Sequence, residues 1–520
     1  MFTNKKHIRI IPKLDIKGPN LVKGVQLEGL RVLGSPEDFS LKYYLDGADE
    51  LIYIDLVASL YGRSNLVEIV EQTANQIFIP LTVGGGIRSV EDMRSLLHAG
   101  ADKLAINTAL FEDISLLKKG ATTFGSQCMV VYVEAKHIGD NQYVCMHTNA
   151  RENSGENVLA WIQEVEKAGA GEIFLTFVDT EGTGNGVDYE FVSQVVQAVQ
   201  IPVIINGGIG TRRHIIKTFQ HGADAVSAAS IFHYHRLEQL KNENCNRGEG
   251  NTSYIELSRS ANTSFLKDKI FPESIDTLKK QFDPVDFSYR MKSDHDAIPS
   301  IAGKGKPLQP VIVDYGMGNI FSLGRAIKTI GRKPIVSADS KIILNADYLI
   351  LPGVGAFPEA MKNLEIRDLI EPIIDFASSG KPLLGICLGM QLLLSESEEM
   401  VSNKGLGLIP GCVKKLFKDI FSDKLKLPHF GWNNLSVENA CHFNWDKTIF
   451  EGISKKDAAY FVHSYACYPD DEKSVLSTTL YGKERFCSAV QKDNIIGCQF
   501  HPELSGPAGL IILNNFFKKF

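Results

Sequence analysis

The feature that most constrains this chain is a repeat of itself: Ile79-Pro80-Leu81-Thr82-Val83-Gly84-Gly85-Gly86-Ile87 returns as Ile201-Pro202-Val203-Ile204-Ile205-Asn206-Gly207-Gly208-Ile209. Each copy is followed by a helix-like stretch and then by Ala99-Gly100-Ala101-Asp102 or His221-Gly222-Ala223-Asp224, at an offset of 202 − 80 = 122 residues. That offset is too long for a solenoid and about half of a closed parallel barrel, so two fused four-stranded halves are expected. The β-rich apolar runs between Arg9 and Phe232 fall at Ile8–Leu14, Glu50–Asp55, Pro80–Val83, Lys103–Ile106, Met129–Val133, Glu172–Val178, Pro202–Ile205 and Ala225–Ala228. They alternate with longer amphipathic stretches, the pattern of βα units. The expected class is α/β, opening on a (β/α)8 TIM barrel with a half-barrel repeat.

The barrel pattern fades after residue 232 of a 520-residue chain, which leaves ample length for a second core. We expect a barrel domain over 1–291, with a polar insertion at 241–264 ahead of a last helix at Pro272–Phe282. A linker at 292–308 follows, then a second domain at 309–520. Strand Val311–Asp314 opens that domain, and Tyr348–Leu351 and Pro382–Ile386 continue it, which suggests an open doubly wound α/β sheet. A hydrophobic fraction of 44% and a net charge of −6 describe an ordinary globular protein and give no reason to expect nucleic acid or an anionic membrane as partner. The nine cysteines are scattered without metal-ligand spacing and read as reduced thiols. No apolar run is long enough to span a bilayer or form a signal peptide, so a cytoplasmic location is expected, with neither metal nor cofactor.

Nucleophilic chemistry is concentrated in the second domain. Gly385-Ile386-Cys387-Leu388-Gly389-Met390-Gln391 follows an apolar strand, and its two glycines permit the sharp strand-to-helix turn that exposes a nucleophile. A helix N-terminus favours thiolate, so Cys387 is expected to be activated by position. His501-Pro502-Glu503 follows the strand-like run Ile495–Phe500, and Glu503 is placed to orient the imidazole that deprotonates Cys387. Gly353, Val354 and Gly355 after strand Tyr348–Leu351 offer backbone N–H groups for an oxyanion, with Gln391 nearby. On these residues the domain resembles the class I glutamine amidotransferases. Asp314–Asn319, Pro428–Asn433 and Tyr460–Tyr465 narrow the resemblance to the glutaminase subunit of imidazole glycerol phosphate synthase.

In the barrel, Gly85 and Gly86 with Asn107 and Thr108 match Gly207 and Gly208 with Ala229 and Ser230 in the other half. Glycine-rich loops at the C-terminal ends of barrel strands let backbone N–H groups surround a phosphate, so two such sites predict a small substrate with a phosphate at each end. Asp15, Asp55, Glu134, Asp179 and Glu181 lie at strand ends between them, and carboxylates on opposite sides of a substrate are the minimum for paired proton transfer. Asp15-Ile16-Lys17, Leu21–Gly24 with Lys23, Thr82–Gly86, Ile106–Thr108 and Asp179–Thr183 with Gly182 together resemble the cyclase subunit of the same synthase.

That resemblance implies Asp15 and Glu181 as the acid and base. It also implies an ammonia gate formed by Arg9, Glu50, Lys103 and Glu172, with the two halves of the chain acting as each other's partner and glutamine as nitrogen source. The reaction so implied converts phosphoribulosyl-formimino-aminoimidazole carboxamide ribonucleotide to imidazole glycerol phosphate and aminoimidazole carboxamide ribotide. Several positions depart from the family pattern: Glu134 and Glu181 replace aspartates, Lys13 takes a position that is ordinarily small and neutral, and Leu504 replaces a lysine. These departures keep open a relative that supplies ammonia for amidine formation on a surface-polysaccharide sugar.

Overall fold

The computed structural model describes residues 6–58, 66–140, 142–242, 268–282, 287–290, 308–417, 425–436, 445–454 and 456–520. Most of the expected insertion and nearly all of the expected linker lie outside them. The chain divides into two compact units, one built mainly from Lys5–Gly120 with Cys128–Lys292 and the other chiefly from Ser293–Phe520.

In the first unit, eight described strands pair in parallel: β1 (Arg9–Lys17), β2 (Leu51–Asp55), β3 (Leu81–Gly84), β4 (Lys103–Ile106), β5 (Met129–Gly139), β6 (Glu172–Phe177), β7 (Val203–Asn206) and β8 (Ala225–Ala228). β8 returns to β1, with Ala225 opposite Arg9, so the sheet closes into a barrel. One core cluster of its strands holds Ile11, Ile52, Ala105, Val130, Phe174, Ile204 and Ala225, from seven of the eight strands.

The repeat survives as geometry. Leu81 N donates to Asp102 Oδ2 at 2.9 Å and Val203 N to Asp224 Oδ2 at 2.9 Å, where 203 − 81 and 224 − 102 both equal 122. The aspartates end the recurring Gly-Ala-Asp and satisfy an amide at the start of the preceding strand. A third copy, Gly47-Ala48-Asp49, does the same for Ile10 N at 2.7 Å. Gly85 (φ +109°) and Gly207 (φ +103°) adopt the same left-handed backbone. A Cβ there would stand 2.6 Å from Asp55 O or 2.7 Å from Phe177 O, so only glycine fits either loop.

Two hairpins on the barrel were not foreseen. Asn20–Val25 pairs with Glu28–Gly34 after β1, and Gln142–His147 pairs with Glu152–Asn157 after β5. Each hairpin sets a largely buried strand against an exposed one, Glu28–Gly34 and Glu152–Asn157, whose sequence carries too little apolar alternation to stand out from a loop. The last helix, expected at Pro272–Phe282, runs over Ile275–Lys280, capped by Ser274 Oγ accepting from Thr277 N at 3.1 Å.

The second unit holds the expected parallel strands in the order Ile335–Ser337, Pro310–Val313, Tyr348–Leu351, Leu383–Ile386 and Ile495–Cys498. The sheet then continues antiparallel through Glu484–Lys492, Tyr465–Pro469 and Ile409–Lys415, an extension beyond the plain doubly wound expectation. A separate ribbon pairs His429–Asn434 with Ala458–His463. No helix among the described residues is long and apolar enough to cross a membrane.

Candidate active sites

Cys387 sits between strand Leu383–Ile386 and helix Leu388–Leu392 with φ +51° and ψ −107°. A β-carbon is strained in that region, and such strain is tolerated where the turn must present the side chain. The loop Pro352–Gly355 lies against the first helical turn, since a Cβ on Gly353 would stand 2.6 Å from Leu388 Cβ. Tyr315 Oη fixes this loop by donating to Pro352 O at 2.7 Å. Gly353 thus packs against the helical turn that follows the nucleophile.

His501 is buried, and its Nδ1 is 2.8 Å from Glu503 Oε1. Burial disfavours the imidazolium, yet the charges of Cys387 and Glu503 outweigh it and hold His501 well above the ordinary histidine range. Its Nε2 makes no aligned hydrogen bond, which leaves that atom available to exchange a proton with the sulfur. Ser505 braces the histidine: its Oγ donates to His501 O at 2.6 Å and accepts from Tyr460 N at 3.0 Å.

Gln499 was missed from the sequence. Its Nε2 points at Cys387 Sγ at 3.6 Å, a donor that favours negative charge on sulfur, while its Oε1 accepts from Gln391 Nε2 at 3.2 Å. Strand alternation before His501 was the signal for it. Gln391 also donates to Tyr465 O at 3.0 Å, so its amide nitrogen is committed to the wall of the site.

In the barrel, Gly85, Gly86, Asn107 and Thr108 line one cavity of about 280 Å³ together with Tyr132, Glu134 and the hairpin residues His147, Thr148 and Asn149. In the other half, Gly207 and Gly208 follow strand β7, and Ala229 and Ser230 follow strand β8, with Ser230 opening helix Ser230–Asn242. Asp55 and Asp179 serve the scaffold: Asp55 Oδ1 accepts from Val57 N and Ala58 N at 2.9 and 3.0 Å, and Asp179 Oδ2 from His137 N at 2.8 Å.

The two glutamates have opposite surroundings. Glu181 Oε1 is 2.8 Å from Lys23 Nζ, and its Oε2 accepts from Asn206 Nδ2 at 3.2 Å. Burial would raise it, but Lys23 and Lys13 overcome this and depress its carboxyl to about 2. Glu134 accepts from Ala150 N at 2.9 Å, and burial pushes it up to about 7. Glu134 lines the cavity at Gly85 and Gly86, whereas Glu181 is held by Lys23 and Asn206. Gly182, next to Glu181, has room only for glycine beside Gly24 O and Lys23 Nζ.

At the other end of the strands, Arg9, Glu50, Lys103 and Glu172 form a buried ring. Arg9 Nη1 donates to Glu50 Oε1 at 2.8 Å and Nη2 to Glu172 Oε1 at 2.6 Å. Lys103 Nζ donates to Glu172 Oε2 at 2.8 Å and also to Glu50 Oε2. Burial works to raise Glu50, but Lys103 and Arg9 win and hold it below the usual glutamate value. The two acids are themselves a repeat pair, 172 − 50 = 122.

A closed parallel barrel followed by a sheet domain that brings Cys387, His501 and Glu503 to the ends of its strands is the arrangement of a glutamine amidotransferase joined to a barrel enzyme. Two family models match accordingly: "Histidine biosynthesis protein" over residues 9–238 and "Glutamine amidotransferase class-I" over residues 311–520. The barrel is 56% identical over 204 residues to the imidazole glycerol phosphate synthase subunit HisF of Legionella pneumophila, covering 39% of this chain and 96% of that subunit. It is 44% identical over 230 residues to the same subunit of Helicobacter hepaticus, covering 44% of this chain and 91% of the relative. The HisF subunit of Bacillus cereus is 44% identical over 227 residues, covering 44% and 90%. Through its barrel the chain belongs to the HisF family of imidazole glycerol phosphate synthase subunits, and it carries a class I glutamine amidotransferase domain in the same polypeptide.

Proposed function

We propose that this chain is a bifunctional synthase that hydrolyses glutamine at Cys387 and spends the ammonia in its barrel. There it forms imidazole glycerol phosphate and aminoimidazole carboxamide ribotide from phosphoribulosyl-formimino-aminoimidazole carboxamide ribonucleotide. The observation that carries this reading is the coexistence, in one chain, of the Cys387–His501–Glu503 arrangement and a barrel with a duplicated glycine loop, one copy of which shares a cavity with Glu134. Cys387 attacks the glutamine carboxamide, the loop at Gly353–Gly355 receives the oxyanion, and His501 protonates the departing ammonia. In the barrel, Asp15 takes a proton from the substrate and Glu134 returns one from the opposite side. Glu181 holds Lys23 toward the site, and the loops at Gly85–Gly86 and Gly207–Gly208 take the two phosphates.

The ring of Arg9, Glu50, Lys103 and Glu172 is proposed as the ammonia entrance. Lys103→Met should then raise the ratio of glutamate formed to barrel product formed, and an unchanged ratio would count against a gate.

The deciding experiment incubates the full chain with the bisphosphate and either glutamine or ammonium. Wild type should form product from both, and Cys387→Ala from ammonium alone. A wild type that releases glutamate yet leaves the bisphosphate intact favours the second reading, amidine formation on a sugar. The observation behind that reading is Lys13, a buried cation where the family has a small neutral residue.

A further inference from the structure

We propose that Lys13 is a positioning residue of the barrel reaction: its ammonium group holds Asp15 as the carboxylate base and thereby leaves the site's proton to Glu134. The proposal rests on the assignment of Asp15 and Glu134 made above. Lys13 and Asp15 are both buried, two residues apart on β1, so both project from the same face as the interior residue Ile11. Lys13 Nζ lies 2.7 Å from Asp15 Oδ1. Neither atom makes an aligned hydrogen bond, so the contact is an ion pair that leaves the donors of Nζ unspent.

A fully buried lysine is rare and requires compensation. Asp15 touches it from its own strand, Glu134 acts on it from β5, Glu181 from the segment after β6, and His233 from helix Ser230–Asn242. Tyr132 on β5 faces the same carboxylates, and Lys23 from the first hairpin faces Asp15 and Glu181. His233 is held neutral, because burial and the two lysines push it down to about 3. The cluster therefore sets two cations against three carboxylates. Lys23 is taken by Glu181 and Gly24 O, and Lys13 by Asp15. Among the described residues no ion pair reaches Glu134, and burial raises its carboxyl against the pull of Lys13, so Glu134 is the carboxylate placed to hold the proton. A lysine that merely filled space would be replaceable by methionine of similar length.

The test uses the full chain with ammonium as nitrogen source. In Lys13→Met, Asp15 loses its counter-charge, so the acidic limb of the kcat profile should move up by about one pH unit or more. Turnover at pH 6 should fall about tenfold or more with KM little changed. Lys13→Arg should restore the wild-type limb. Where Lys13→Met does not fold, Lys13→Gln serves, removing the charge and keeping a donor. A neutral variant with the wild-type limb overturns the proposal. So does a loss uniform across pH with raised KM, which would put Lys13 in contact with substrate. A second readout needs no substrate: in protein labelled with 13C at aspartate carboxyls, the signal missing from Asp15→Asn should titrate at higher pH in the neutral variant. An unmoved signal refutes the role of Lys13, whereas failure of wild type to consume the bisphosphate refutes only the proposed reaction.

Discussion

The barrel buries charge at both ends of its strands, and the two clusters balance differently. At the N-terminal end Arg9 and Lys103 each reach both Glu50 and Glu172, so among the described residues two cations meet two anions in a ring. At the C-terminal end Lys13 and Lys23 face Asp15, Glu134 and Glu181, one carboxylate in excess. Desolvated ions are costly, and only full pairing offsets the cost. The paired cluster therefore favours its charged forms, while the cluster with the extra carboxylate favours holding a proton. Glu50 held below the usual glutamate value and Glu134 raised to about 7 express that difference in two residues of one type.

Neutralising the surplus acid should break the chemistry and spare the fold. Glu134→Gln is expected to lower ammonium-dependent turnover about a hundred- to ten-thousand-fold, the usual worth of a general acid. Steady-state rates on the full chain check this, with glutamine hydrolysis as a control. The same loss in Glu181→Gln but not in Glu134→Gln would reverse the assignment of the two glutamates. Removing one cation from the ring should do the opposite. Lys103→Met removes an ammonium that donates to both buried carboxylates, a change that costs about 3–5 kcal/mol of stability. A denaturation midpoint equal to wild type would mean that the ring is hydrated and the contrast false.

The two ends should also respond oppositely to pH. Glu134 is raised from 4.5 to about 7 on folding, so the folded chain binds more protons across that window and this contribution to stability declines as pH rises through it. Glu134→Gln, neutral throughout, should match wild type near pH 5 and exceed it at pH 8 by on the order of 3 kcal/mol. Glu50 is lowered, so its contribution is present above its unfolded value and is lost as pH falls. Glu50→Gln should therefore lose its deficit relative to wild type on acidification. Chemical denaturation at several pH values measures both slopes, and slopes of the same sign would erase the distinction.

Much of this was legible in the sequence because it depends on local pattern. The repeated Ile-Pro and Gly-Gly units located four of the strand and loop positions, since backbone needs fix glycine at 85 and 207 and amide satisfaction fixes aspartate at 102 and 224. The elbow at Cys387 and the pair His501 and Glu503 were legible for the same reason: neighbours in sequence are neighbours in space. What escaped was set by partners far along the chain. Glu181 reads like any strand-end acid until Lys23, 158 positions away, is seen to hold it. Glu134 reads as an ordinary substitution for aspartate until burial is seen to raise its carboxyl against the pull of Lys13, a residue far away in sequence. Asn206 did leave a trace, as the one position where the second copy of the repeat replaces a glycine, Gly84, with a side chain that reaches Thr176 and Glu181.

The smallest expected effect is the sharpest on assignment. Glu181→Asp shortens the carboxylate by one methylene and restores the family's residue. If Glu181 only anchors Lys23, the change is read through two contacts, 2.8 Å to Lys23 Nζ and 3.2 Å to Asn206 Nδ2. The longer bond, to a neutral amide, yields first and is worth about 1 kcal/mol net. The ion pair to Lys23 persists, because a lysine ammonium is a flexible point charge that follows its partner. Turnover with ammonium should then stay within about tenfold of wild type. A proton-transfer partner has no such tolerance, since a displacement of about 1 Å at the reacting atoms costs about a hundredfold. A hundredfold loss in Glu181→Asp, with Glu134→Gln near wild type, would make Glu181 the acid and leave Glu134 as the surplus charge of a binding wall.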